Sequence, residues 1–115
     1  MNMRKLIVVF LVLLVATVGL TIGQSRTSRG RCLLEVNGKK YITGACKIEM
    51  DKDGSFRIYD LKKKGYFAYV TMAHVGANGY WNGTEKGSHA HDPLGELYQD
   101  GACWKNDEAK VCAWR

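Results

Sequence analysis

The chain has 115 residues, 17 Lys and Arg against 11 Asp and Glu, and a formal net charge of +6. That length accommodates one domain and excludes a multidomain architecture. Four cysteines, all beyond residue 23, together with a single proline point to a small cystine-bearing domain of short elements.

Residues 1–23 read as an address. Arg4 and Lys5 precede an uncharged run from Leu6 to Gly23, the pattern of a secretory signal peptide. The run also has the length to span a bilayer, so an uncleaved N-terminal anchor in the inner membrane is the alternative. Either reading exports the domain, to the periplasm or beyond. No second apolar run of that length follows. Removal of the segment leaves fifteen Lys and Arg against eleven Asp and Glu, a net charge of +4. The excess sits in Arg26, Arg29 and Arg31, in Lys39 and Lys40, and in Lys62, Lys63 and Lys64. A basic patch of this kind suits anionic partners. The exported location makes nucleic acid the least suitable of them.

Residues 24–31 lack periodicity and are expected to be a flexible lead-in to a single β domain over 32–115. Asn37-Gly38 between CLLEV and KKYIT is the strongest short hairpin signal, because both turn residues take positive φ. A two-residue turn pairs Val36 with Lys39, Glu35 with Lys40, Leu34 with Tyr41 and Cys32 with Thr43. CKIEM and SFRIY form the next hairpin around Lys52 to Gly54, which sets Met50 near Phe56 and Ile48 near Ile58. Asp51 to Ser55 resembles the start of a calcium loop, but Phe56 and Lys62 occupy its glycine and glutamate positions.

YFAYVTM, residues 66–72, is apolar on both faces and predicts a central strand covered on both sides. A short Tyr80-Trp81 strand precedes a long loop from Asn82 to Gly95, and Glu96 to Tyr98 is another short strand. ACWK and VCAW close the chain as a hairpin that sets Cys103 opposite Cys112, the preferred disulfide. Cys32 with Cys46 follows by elimination and requires a bulge at Gly44-Ala45. Gaps of thirteen and eight residues between the cysteines do not suit a four-cysteine zinc site. Trp114 shares a face with Cys112 and is assigned to the core; Trp104 lies opposite with Val111. Seven or eight short strands and no amphipathic helix make the fold class all-β, a small antiparallel barrel or sandwich with two disulfides.

The candidate working surface is residues 79–97, GYWNGTEKGSHAHDPLGEL, which holds two of the three histidines, a tryptophan, the only proline and four glycines. Tyr80, Trp81, Lys86, Ser88, His89, His91 and Asp92 are its candidate binding residues, and Trp81, beside the loop, is the one of the three tryptophans expected to touch a partner. His89 and His91, two apart, point to one side of an extended segment as two ligands of one Zn or Cu ion must. His74, Glu85, Asp92 or Glu96 would complete that shell. The more economical reading assigns no cofactor and treats the histidines as polar loop residues. Ser88 with His89, His91 and Asp92 does not make a catalytic set, because neighbours on an extended segment point to opposite faces. Asn82-Gly83-Thr84 matches a glycosylation sequon.

YFAYV, GYWNG, SHAHDPLGEL, GACWKN and VCAWR together resemble a family of small exported bacterial proteins. That resemblance implies an envelope-side location, makes the sequon irrelevant, and is silent as to activity. The Gly/Ser-rich loop with Lys86 and Ser88 is also similar to that of periplasmic lysozyme inhibitors, disulfide-bearing β barrels that insert a loop into the lysozyme cleft. Their serine-glycine-tyrosine loop motif is absent here, and a +4 domain is a poor electrostatic match for basic lysozymes. The expected function is non-enzymatic binding of a protein or glycan in the cell envelope.

Overall fold

The computed structural model describes residues 25–115; the signal or anchor read in residues 1–23 lies outside them. Eight strands follow one another: β1 (Arg26–Val36), β2 (Lys39–Met50), β3 (Phe56–Asp60), β4 (Phe67–Met72), β5 (Ala77–Trp81), β6 (Asp92–Asp100), β7 (Cys103–Lys105) and β8 (Ala109–Trp114). Each pairs antiparallel with the next and β8 returns to β1, so the sheet is a closed barrel. Closure removes both sheet edges. Among the described residues no helix is long and apolar enough to cross a membrane.

The β1–β2 turn is as the sequence reads: Asn37 and Gly38 both have positive φ, and Val36 faces Lys39. The register then shifts between Leu34 and Glu35, so that Leu34 faces Ile42, Leu33 faces Thr43 and Cys32 faces Gly44. The expected pairs Leu34 with Tyr41 and Cys32 with Thr43 are therefore replaced, and the bulge falls at Tyr41 rather than at Gly44-Ala45. The reason is parity. An unshifted ladder would turn Thr43, Ala45 and Lys47 inward, whereas one extra residue turns Ile42, Cys46 and Ile48 inward, where all three are fully buried.

Residues 26–31 are not a flexible lead-in but the first half of β1, paired along β2 from Met50 to Ala45. Their hydrophobic alternation is missing because the inward positions here are Ser28 and Gly30. A Cβ at Gly30 would collide with the Trp114 carbonyl oxygen, so the β1–β8 seam closes only over a residue without a side chain.

Both disulfides form as expected. Cys103 and Cys112 lie directly opposite each other on β7 and β8. Cys32 and Cys46 lie on a diagonal of the β1–β2 ladder and are buried in the core, with their Cα atoms 5.8 Å apart. Two such bridges fit an oxidising compartment. The β2–β3 register also agrees, with Met50 on Phe56 and Ile48 on Ile58.

Side chains fill the interior, as the diameter of an eight-stranded barrel requires. Leu34, Ile42, Ile48, Ile58, Val70, Leu97 and Val111 form its middle. Trp114 is not in the core: it is 41% exposed, and Trp104 packs inward instead. Trp104 stands with Met50, Met72 and Ala113 around a cleft of about 430 Å³ at one end of the barrel. This lower end carries the turns after β2, β4 and β6 and the first residues of β1. The upper end carries the Asn37-Gly38 turn, the 61–66 turn, the 82–91 loop and the 106–108 turn.

β4 is covered on one face only. Ala68 and Val70 point inward, while Phe67 and Tyr69 stand half-buried on the outer wall. The long loop is also shorter than expected, because β6 begins at Asp92 and the irregular segment is confined to residues 82–91.

Candidate functional site

The 82–91 loop is held at its base by Asn82, a buried polar side chain. Its Oδ1 accepts a hydrogen bond from the Phe67 N–H at 3.1 Å, and its Nδ2 donates to the carbonyls of Gly65 at 3.0 Å and Gly87 at 3.2 Å. One amide thus ties the loop to the first residue of β4, to the 61–66 turn and to its own return. The Lys86 N–H donates to the Lys64 carbonyl at 2.9 Å. Lys86 has φ of 57°, a left-handed conformation uncommon for a residue with a side chain, and is held there by that bond.

This pairing of loops gathers charge. Lys62, Lys63, Lys64 and Lys86 are all exposed on one rim of the upper end. The Lys62 ammonium donates to the Thr43 carbonyl at 2.9 Å, which fixes one of the four. Ser88, His89, His91 and Asp92 are exposed on the same loop and its exit. The His89 and His91 rings stack with their centroids 5.0 Å apart and their planes 10° from parallel. His74 lies in the β4–β5 turn at the lower end, so it does not join them. Glu96 is turned to the outer wall, where it accepts a hydrogen bond from the Tyr98 hydroxyl at 3.1 Å. Among the described residues no three His, Cys, Asp or Glu side chains come together as a metal cage.

Trp81 is largely buried. It is 7% exposed and packs against Tyr41 at 4.5 Å and Tyr66 at 6.0 Å between ring centroids. It forms the floor of a cleft of about 310 Å³ at the upper end, walled by Asp92, Pro93, Asn37 and Glu108. Tyr80 points the other way, 38% exposed on the outer wall.

The sequence reading missed that outer wall. The registers Tyr59 with Phe67 and Tyr69 with Tyr80 place four aromatic rings on one outward face of β3, β4 and β5. Phe67 lies 5.7 Å from Tyr59 and 5.5 Å from Tyr69, centroid to centroid. The Lys47 ammonium stands 4.5 Å from the Tyr59 ring centroid. Beside them the Arg57 guanidinium grips both oxygens of Asp51, at 3.0 and 3.1 Å, and reaches Glu49 at 3.3 Å, and these contacts raise its pKa. The legible signal was the pair of aromatics at 67 and 69, out of phase with the inward Ala68 and Val70. Without the curvature of the barrel that face looked as buried as the other.

Burial, then the neighbouring Tyr69 hydroxyl, raises the Tyr59 phenol to about 12. Because the folded state holds this proton more tightly than the unfolded chain, the resulting stability is complete below pH 10 and is lost as pH rises toward 12. Absorbance titration should show a late tyrosine step toward pH 12, and Tyr59→Phe should remove it. A titration that Tyr59→Phe leaves unchanged would contradict it.

No protein-family model matches the chain, and neither curated proteins nor solved structures give a match.

Proposed function

We propose that the domain is an exported, non-enzymatic binding module that contacts a macromolecule of the cell envelope through the upper-end loop, with Lys86, Ser88, His89 and His91 at the contact. The observation that supports this most is the fixation of an exposed loop by a buried amide. Asn82 sets the backbone of residues 82–87 before any partner arrives, which lowers the ordering cost of binding. The two disulfides and the uncharged segment at Leu6 to Gly23 support export.

A photo-crosslinking residue at Ser88 is expected to give discrete adducts in the periplasm, and the same residue at Val75, 80% exposed at the lower end, none. Equal labelling from both positions, or none from either, would sink the reading. The stacked His89 and His91 favour a second reading, a Zn or Cu ion held by this pair and a third ligand from outside the chain. Elemental mass spectrometry of the untagged protein beside the His89→Ala, His91→Ala variant separates the two. A stoichiometric ion present only in the parent protein would favour the metal. The exposed, prefixed loop on a closed barrel also supports a lysozyme-inhibitor-like mode, which a lysozyme turbidity assay tests directly.

A further inference from the structure

We propose that the outer wall of β3, β4 and β5 is a stacking platform for an acidic polysaccharide. The proposal rests on the preceding reading only in taking the protein to be an exported binding module; the aromatic face is a different surface, which meets the loop contact at Lys86. Tyr59, Phe67, Tyr69 and Tyr80 come from three neighbouring strands and share one outward face. The rings hold each other in place, with Tyr59, Phe67 and Tyr69 at mutual centroid distances of 5.5 to 6.4 Å, so little side-chain freedom remains to be lost on binding.

The four rings form one contiguous patch on the outside of the barrel, half-buried at Tyr59, Phe67 and Tyr69 and exposed at Tyr80, and a patch of this kind marks an interaction site. The groups set among the rings indicate the chemistry of the partner. Lys47 lies against Tyr59, and the Arg57, Asp51 and Glu49 cluster stands on the adjoining strands. Lys, Glu and Asp are depleted from the centres of protein–protein interfaces, whereas a sugar ring offers an apolar C–H face to an aromatic ring and hydroxyls to charged neighbours at its rim. At the upper edge of the platform, Phe67 is bonded to Asn82 and so adjoins the turn bearing Lys62, Lys63 and Lys64, next to Lys86. That rim supplies cations for carboxylate or sulfate groups along the same polymer. The chain enters the barrel at Arg26, at the lower end, so the lysine rim lies at the end opposite the point from which residues 6–23 would tether it to a membrane. A free polymer suits this geometry better than the anionic lipid of that membrane.

The test is affinity electrophoresis of the exported protein through gels containing polygalacturonate, neutral dextran, single-stranded oligothymidylate or anionic phosphatidylglycerol vesicles. Retardation by polygalacturonate alone is expected. Phe67→Ser with Tyr69→Ser should weaken it about tenfold, and the triple Lys62→Gln, Lys63→Gln, Lys64→Gln variant should weaken it and flatten its salt dependence. Tyr80→Ala, at an exposed position, provides an aromatic variant that leaves the barrel folded, and should weaken retardation severalfold. Ser88→Ala and the His89→Ala, His91→Ala variant should bind polygalacturonate normally, which separates this surface from the loop contact. The proposal is overturned by absence of retardation, by equal retardation with oligothymidylate or vesicles, or by polygalacturonate binding that the aromatic variants leave unchanged.

Discussion

Replacing Cys32 and Cys46 together with alanine should lower the unfolding free energy by about 3–5 kcal/mol. Two contributions combine. The bridge closes a loop with a sequence separation of 14, and releasing such a loop in the unfolded chain is worth about 3 kcal/mol in the chain-entropy account. The sulfurs are also part of the core, with Cys32 2% exposed and Cys46 fully buried between Leu34, Ile42 and Ile48, so their loss leaves a void that the closed barrel cannot collapse around. The Cys103→Ala, Cys112→Ala variant supplies the comparison. Its bridge spans a separation of only 9 and ties one residue to the residue directly across a hairpin, so it should lose less, about 2–3 kcal/mol. Urea unfolding of the two double variants measures both. The reverse order would show that the interior bridge is not what secures the β1–β2 half of the barrel.

Asn82→Ala should cost about 2–3 kcal/mol and release the 82–91 loop while leaving the barrel closed. The substitution strands the Phe67 N–H and the carbonyls of Gly65 and Gly87 in a place where the amide had satisfied all three. Two consequences separate this from a general loss of stability. Amide exchange at Lys86, whose N–H bonds the Lys64 carbonyl, should accelerate far more than exchange at Ile48 or Ile58 in the core. Crosslinking from Ser88 should also fall, although Ser88 itself is unchanged. Asn82→Asp would keep the acceptor for Phe67 but lose both donations and bury a charge, so it should be no better. Uniform exchange across the barrel in Asn82→Ala would mean that the loop and the sheet open together.

Asn82 illustrates what kind of information a sequence reading lacks. In the sequence it stands out only as the first residue of a sequon, because its three partners, at positions 65, 67 and 87, are gathered by the β4–β5 ladder and two turns. Lys86 is similar: its left-handed backbone and its bond to Lys64 depend on a loop-to-loop contact that no local pattern encodes. The histidines at 89 and 91 were expected on one side if their segment ran extended; the rings do stack, although residues 88 and 89 form a bend. Their separation from His74 was not, because it is set by which end of the barrel each turn occupies.

Determined by sequence alone were the features governed by the nearest few residues. The all-β class follows from short alternating runs, the Asn37-Gly38 turn from backbone sterics at positive φ, and the Met50–Phe56 and Cys103–Cys112 pairings from loop length counted outward from a turn. Closure of the sheet decided everything else. It moved the bulge to Tyr41 so that Ile42, Cys46 and Ile48 could face inward, recruited residues 26–31 as the strand that seals β8, turned Trp81 and Trp104 into the barrel, and left Phe67 and Tyr69 on its outer wall. Which face of a strand is the inside is a property of the curved, closed sheet as a whole. A strand apolar on both faces carries no local signal that chooses between them.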